Sequence, residues 1–263
     1  MDLQLKDRTA LVTGSTAGIG LEIARTLAVE GARVLVTGRN QKKLDDAVKS
    51  IRSSGGRAVS GVLADPATEE GASVLSAAAP QVDILVNNLG IYEIKPFSAI
   101  TDEEWRRYFE TNVLSGIRLA RAYFEGMLSR NWGRIIFVSS ESALMTPGDM
   151  IHYGMTKTSQ LAVSRGLAEK TKGTSVTVNA VLPGPTRSEG IIDFLKSLST
   201  NPNASAADVE AEFFAKHRST SLLQRLINPE EIANLVAYLA SPLSSATNGA
   251  ALRVDGGVTP TMV

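Results

Sequence analysis

Short apolar runs alternate with longer segments of helical period along this chain, and that alternation restricts the fold more than any other feature. Candidate strands are Thr9–Thr13, Arg33–Thr37, Arg57–Val62, Ile84–Asn87, Arg134–Ser139, Val176–Leu182 and Ala251–Val254. Most are continuous blocks, such as Ile135-Ile136-Phe137-Val138, as expected of parallel strands covered on both faces. Helical segments lie between them near residues 18–30, 40–53, 67–79, 101–129, 153–172 and 229–240. In the fourth, Trp105, Tyr108, Phe109, Leu119, Ala120 and Tyr123 share one face, and Thr101 with Glu104 forms a capping-box pattern at its start. The expected fold is α/β: a doubly wound parallel sheet of about seven strands with helices on both faces, residues 1–263 forming one domain.

One stretch breaks the rhythm. Between Leu182 and Pro229 there is no convincing strand, and Asn201-Pro202-Asn203-Ala204-Ser205 reads as a turn flanked by the apolar pairs Ile191-Ile192, Phe194-Leu195 and Phe213-Phe214. An excursion this long inside a compact α/β domain is usually functional or mobile. Two readings apply: a surface insertion of two short helices, or a helical lid over a binding site at approximately 186–226.

Composition excludes several classes. Lys+Arg and Asp+Glu both number 27, so the zero formal net charge lacks the basic excess of a nucleic-acid binder. With no cysteine there is no disulfide, thiolate metal site or cysteine nucleophile, and the two histidines, His152 and His217, leave little for a metal centre. The charged start has no apolar stretch of signal-peptide length behind it, and no apolar run is long enough for a membrane span. The expectation is a cytoplasmic chain with neither a metal, nor a membrane, nor a nucleic-acid partner.

Thr13-Gly14-Ser15-Thr16-Ala17-Gly18-Ile19-Gly20 joins the first strand to the first helix. Glycine suits such a turn because it accepts positive φ and lets the backbone approach a pyrophosphate, while the helix start supplies N–H groups and a favourable dipole. The spacing is GxxxGxG rather than GxGxxG, and its place within a βαβ pattern strengthens the dinucleotide reading. The 2′-hydroxyl of NAD is normally held by an acid about 20 residues beyond the glycine turn. Here no Asp or Glu occurs from Ala32 through Lys43, and Arg39 stands at that point. An arginine pairs with a 2′-phosphate by charge-assisted hydrogen bonds, which favours NADP(H) over NAD(H).

Tyr153 and Lys157 stand at i and i+4, on one face of a helix. A free tyrosine, with a pKa of about 10, is a poor proton donor or acceptor near neutrality. A neighbouring ammonium stabilises the phenolate, and the pair can then exchange a proton with a carbonyl or alcohol oxygen.

With these motifs the chain resembles the short-chain dehydrogenase/reductase family in its single-domain branch. The resemblance rests on Thr13–Gly20, Asn87-Asn88-Leu89-Gly90, Asn112, Ser139-Ser140, Tyr153/Lys157, Pro183-Gly184 and Asp255-Gly256-Gly257, in order over nearly the whole chain. It implies a Rossmann-like sheet and a catalytic tetrad of Asn112, Ser140, Tyr153 and Lys157. Ser140 is preferred to Ser139 because it precedes Tyr153 by thirteen residues, the family's usual spacing. In these roles Ser140 orients the substrate oxygen, Tyr153 moves the proton, Lys157 tunes Tyr153 and holds the nicotinamide ribose, and Asn112 anchors a water chain.

The implied cofactor contacts are Gly14, Ser15, Thr16, Gly18, Ile19, Gly20, Arg39, Asp65 at the adenine amino group, Asn87 and Gly90 at the adenine ribose, Tyr153, Lys157, and Pro183, Gly184, Thr186 and Ser188 near the nicotinamide. Leu89 stands where alanine is usual, Ser188 where threonine is common, and Ala17 where NADP-preferring relatives often carry a basic residue. The expected substrate wall includes Ile91, Tyr92, Leu144, Met145, Met150, His152, Ile191, Ile192 and Phe194. This largely apolar set suits a medium-sized ketone or secondary alcohol better than a highly charged sugar.

The expected activity is NADP(H)-dependent interconversion of a ketone and a secondary alcohol. Alternatives are an NAD-dependent alcohol or hydroxysteroid-type dehydrogenase, a 3-oxoacyl-carrier-protein reductase-like enzyme, and a non-catalytic nucleotide sensor. An enoyl reductase or epimerase is disfavoured by the three-residue Tyr–Lys gap. The resemblance further implies a homotetramer, or a homodimer, assembled through the long helices at 101–129 and 153–172.

Overall fold

The computed structural model describes residues 1–188, 191, 195, 196, 199 and 204–262. Its strands are β1 (Thr9–Val12), β2 (Arg33–Gly38), β3 (Val59–Leu63), β4 (Ile84–Asn87), β5 (Gly133–Val138), β6 (Val176–Pro183) and β7 (Ala251–Val254). They form one parallel sheet in the order β3-β2-β1-β4-β5-β6-β7. Every residue of β4, β5 and β6 is buried, as their continuous apolar sequences predict. The expected strands all form, although β3 begins at Val59 rather than Arg57.

Helices α1 (Gly18–Val29), α2 (Gln41–Ser53), α3 (Glu69–Ala78), α4 (Asp102–Phe109), α5 (Ser115–Ser129), α6 (Ile151–Glu169), α7 (Ala206–His217) and α8 (Pro229–Ala240) complete the described fold. Successive strand residues point to opposite faces. Ala10 and Val12 accordingly join one core with Ile23, Leu27, Leu44, Ile232 and Val236, whereas Leu11 joins another with Leu75, Leu119, Tyr123 and Met127. The strand order reverses between β1 and β4, leaving a crevice at their carboxyl ends, where ligands bind in open α/β sheets.

Two departures from the sequence expectations shape that crevice. The single helix expected over 101–129 is α4 and α5 joined by a π turn, Glu110–Leu114, while the predicted capping box at Thr101 and Glu104 is present. The π turn frees backbone carbonyls from the helical ladder. Ser115 Oγ donates to the Thr111 carbonyl (2.6 Å), and Gln160 Nε2 donates to the Asn112 carbonyl (2.6 Å).

The excursion after β6 carries α7, capped by Ser205 and Asp208, and a small core of its own that includes Ile191, Leu195, Phe213, Phe214 and Leu226. Glu210 accepts from Arg187 (2.8 Å) and from the Leu226 amide (2.8 Å), tying α7 to the chain segments at its base. Phe213 and His217 of α7, with Arg218 beyond it, line the crevice.

Candidate active site

The turn after β1 is fastened to the loop after β4. Thr13 Oγ1 accepts from the amides of Asn88 (2.9 Å) and Leu89 (3.0 Å), and Asn88 Nδ2 donates to the carbonyls of Thr13 (2.9 Å) and Gly14 (3.2 Å). Gly14 and Gly18 have φ of +60° and +54°, the left-handed region that glycine tolerates without strain. At Gly20 a Cβ would lie 2.4 Å from both Asn88 Nδ2 and the Gly14 oxygen, so only glycine permits this approach. The N-cap of α1, Ala17, makes no side-chain cap, and the first turn carries no acid. Its N–H groups and positive dipole end thus remain available, and among the described residues a Cβ on Gly18 would meet only Ser188 within 4 Å, at 3.8 Å. This open, uncapped helix start fits the diphosphate of a dinucleotide.

Several expected cofactor residues lie on this groove: Gly14, Gly18, Ile19, Gly20, Gly90, Pro183, Gly184, Thr186 and Ser188 line it with Tyr153 and Lys157. Thr16 sits at the base of the turn, its Cγ2 where a Cβ on Gly38 would go. Two expectations are corrected. Ser15 is fully buried; its hydroxyl donates to the Val12 carbonyl (2.6 Å) and accepts from the Thr37 amide (2.9 Å), so it stitches β1 to β2 instead of reaching a ligand. Asn87 belongs to β4 and points into the protein beside Gly116 and Phe137, while its neighbour Asn88 lines the groove. Arg39 and Asp65, expected at opposite ends of the adenosine, form an ion pair with each other at 3.6 Å. Arg39 is 78% exposed there and thus accessible to an incoming phosphate.

The four tetrad residues converge from three elements. Ser140 follows β5, Tyr153 and Lys157 lie on the first turns of α6, and Asn112 comes from the π turn. Asn112 is fixed on both sides: its Oδ1 accepts from the Ile91 amide (2.8 Å), and its Nδ2 donates to the Ile91 carbonyl (3.0 Å) and to Thr156 Oγ1 (3.0 Å). Lys157 Nζ donates to the Val138 carbonyl (2.9 Å) and to Gln160 Oε1 (3.3 Å), and lies 5.6 Å from the centre of the Tyr153 ring. Gln160, absent from the sequence-based set, therefore bridges the Asn112 carbonyl and the Lys157 ammonium. Ser139 and Ser140 both line the groove, but the Ser139 hydroxyl is committed to the Lys157 carbonyl (2.9 Å), where it holds α6 in place.

Burial governs both titrating groups. It raises the Tyr153 phenol above its ordinary value, opposed in part by hydrogen bonding to Ser140. It also pushes the Lys157 ammonium down to about 8.

The cavity has a volume of about 500 Å³. Of the expected substrate wall, Tyr92, Met150 and Ile191 line it; the Tyr92 ring meets Tyr153 edge-on at 6.1 Å. Leu144 and Met145 are not among the lining residues and lie at the surface. His152 is corrected too: one step along α6 from Tyr153, it turns inward against Tyr108 (4.1 Å) and Trp105 (6.0 Å). Ile192 and Phe194 lie outside the described residues. The wall instead includes Glu141 beside Ser140, Ile94, Asp149, and Phe213, His217 and Arg218 of the lid. No helix among the described residues is long and apolar enough to cross a membrane.

Residues 14–259 match the family model described as enoyl-(acyl carrier protein) reductase. The chain is 51% identical over 259 residues to the uncharacterized oxidoreductase YvaG of Bacillus subtilis (strain 168), covering 98% of both chains. It is 34% identical to the 3-oxoacyl-[acyl-carrier-protein] reductase FabG of Escherichia coli (strain K12), covering 97% of this chain and 99% of that one. The structure superposes with a TM-score of 0.93, at 30% identity and complete coverage of both chains, on L-sorbose reductase from Gluconobacter frateurii in complex with NADPH and L-sorbose. These similarities and the site define one class, the NAD(P)-dependent dehydrogenases and reductases. Within it, the chain belongs to the short-chain dehydrogenase/reductase family, as its motifs predict.

Proposed function

We propose that the protein is an NADP(H)-dependent carbonyl reductase and alcohol dehydrogenase, with Asn112, Ser140, Tyr153 and Lys157 as its tetrad. The observation that carries this reading is the convergence of Ser140, Tyr153 and Lys157 on a cavity continuous with the uncapped start of α1. The nicotinamide, when bound, supplies or accepts the hydride. The hydroxyls of Ser140 and Tyr153 hold the substrate oxygen. Tyr153 gives up its proton as negative charge develops there, and Lys157 stabilises the resulting phenolate. Asn112 and Gln160 fix the position of the Lys157 side chain and of the π turn beside it. The Tyr–Lys spacing favours carbonyl over enoyl reduction. A panel of ketones with NADPH tests the activity; absence of turnover on every ketone refutes it.

The preference for NADP(H) is supported by Arg39 and by the acid-free stretch from Ala32 through Lys43. A 2′-phosphate would draw Arg39 from its exposed pairing with Asp65, a contact of little stabilising value in water. The backbone of Gly14–Gly20, with Gly90, Pro183, Gly184, Thr186 and Ser188, forms the remaining contacts. Arg39→Asp should shift preference towards NADH, read from the ratio of kcat/KM with the two cofactors; an unchanged ratio removes Arg39 from the assignment. Similarity to FabG favours a second substrate reading, 3-oxoacyl thioesters on a carrier protein, which the same assay with a 3-oxoacyl thioester separates from free ketones. Assembly as a homotetramer through α4–α5 and α6, in the cytoplasm, completes the proposal, and light scattering tests the oligomeric state.

A further inference from the structure

Glu141 is a carboxylate in an unusual place. It immediately follows Ser140, is buried with 7% of its side chain exposed, and lines the cavity that holds Tyr153. Its Oε2 accepts the Ser140 hydroxyl proton at 2.6 Å. Its Oε1 faces Nε and Nη2 of Arg218, both at 3.4 Å, from the lid. The turn after β5 has bonds of its own: Ser140 Oγ accepts from the Ser142 amide (3.1 Å), and the Ser140 and Glu141 carbonyls accept from the amides of Ala143 (3.0 Å) and Leu144 (2.9 Å).

The Ser140 hydroxyl has one proton, and two acceptors compete for it. In the reaction it must point at the substrate oxygen, whereas in this structure it is directed at Glu141. A plain ketone that takes this proton leaves a buried carboxylate oxygen short of a donor, and that loss is charged against binding and turnover. A substrate carrying a hydroxyl on the carbon next to the carbonyl removes the conflict. Its O–H replaces Ser140 as donor to Glu141 while Ser140 turns to the carbonyl. Oxygens on adjacent carbons are separated by about one hydrogen-bond length, the scale of the Ser140 Oγ to Glu141 Oε2 distance.

We propose that Glu141 is a specificity-determining acceptor for this neighbouring hydroxyl, so that the substrates are α-hydroxyketones in one direction and vicinal diols in the other. The inference rests on the reductase reading and deepens it. The reaction remains balanced: hydride adds to the carbonyl carbon, the carbonyl π pair takes the Tyr153 proton, and the neighbouring hydroxyl only donates a hydrogen bond. Arg218 keeps Oε1 occupied throughout, and the free alkyl end of the substrate meets Tyr92, Ile94 and Ile191.

The test uses the whole protein with NADPH and three ketones: hexan-2-one, 1-hydroxyhexan-2-one and 1-methoxyhexan-2-one. The methoxy compound keeps the electron-withdrawing oxygen and lacks the donor, so it separates hydrogen bonding from intrinsic reactivity. The expected result is kcat/KM on the order of 100-fold higher for the hydroxyketone than for either of the others. Glu141→Leu, shown to be folded by its fluorescence titration with NADPH, should reduce that preference to near unity. If the unaltered protein reduces all three ketones equally, the proposal is overturned while the reductase reading stands, and this comparison needs no variant. A preference that persists in a folded Glu141→Leu protein overturns the role of Glu141. If none of the three is reduced, the proposal is overturned, and the wider panel of ketones and 3-oxoacyl thioesters decides the reductase reading separately.

Discussion

Burial disfavours the charged form of both Tyr153 and Lys157, and their pH behaviour follows from that. In ketone reduction Tyr153 acts while protonated, and its raised pKa keeps it so across the working range. The alkaline limb therefore belongs to Lys157: the reduction rate should fall as pH rises through about 8, where the ammonium is lost. Tyr153→Phe should lower kcat by roughly 10²- to 10⁴-fold with NADPH affinity retained, as single-turnover kinetics and fluorescence titration would show. Gln160→Leu should shift the alkaline limb to lower pH, because the ammonium loses its acceptor at 3.3 Å. It should also destabilise the fold by about 1–3 kcal/mol, because the buried Asn112 carbonyl loses the Gln160 donor. A pH profile that does not move would mean that Gln160 only packs.

At the scale of elements, the sequence was most informative where one segment determines its own environment. Continuous apolar strands and the glycine turn are local patterns, and both form where expected. The π turn was hidden because no local pattern in Glu110–Leu114 marks the wider turn, and Gln160, which donates to its Asn112 carbonyl, lies 48 residues downstream. Side-chain direction at strand ends was also ambiguous. Asn87 and Asn88 are neighbours on opposite sides of the sheet end, as His152 and Tyr153 are on different faces of α6, and motif matching alone does not assign the inward member. The lid wall was only partly legible, since Phe213, His217 and Arg218 reach the cavity through the fold and not through spacing from Tyr153. Gly20→Ala tests the tightest contact between elements. With the turn displaced from Asn88, NADPH affinity should fall at least about tenfold, measured by fluorescence titration, while far-ultraviolet circular dichroism remains that of a folded α/β protein.

For the molecule as a whole, the same buried lysine links stability to pH. Lys157 loses its proton near 8 when folded but near 10.5 when unfolded, so the unfolded chain binds more protons between those values and this group's contribution to stability rises with pH across that window. Tyr153 acts oppositely above about 10, where the unfolded chain releases a proton that the folded protein retains. Thermal melts of the ligand-free protein and of Lys157→Met should therefore converge as pH rises from 8 to 10, with Lys157→Met the more stable at pH 7. Saturating NADPH should add about 2.7 kcal/mol at 100 times its dissociation constant, seen as a rise in melting temperature that an equal concentration of NADH does not match.

The strand order also imposes a schedule on the growing chain. β1 cannot acquire its second neighbour until residues 84–87 have emerged, so the crevice between them stays open to one side through the first third of synthesis. β2 can pair with β1, and β3 with β2, well before that, whereas Tyr153, Lys157 and the groove residues after β6 arrive only later. Parallel pairing over such separations is slow. A ribosome-bound fragment ending after α5 would accordingly expose the apolar face that β5 and β6 later cover, and this interval is when the nascent chain is most in need of a chaperone.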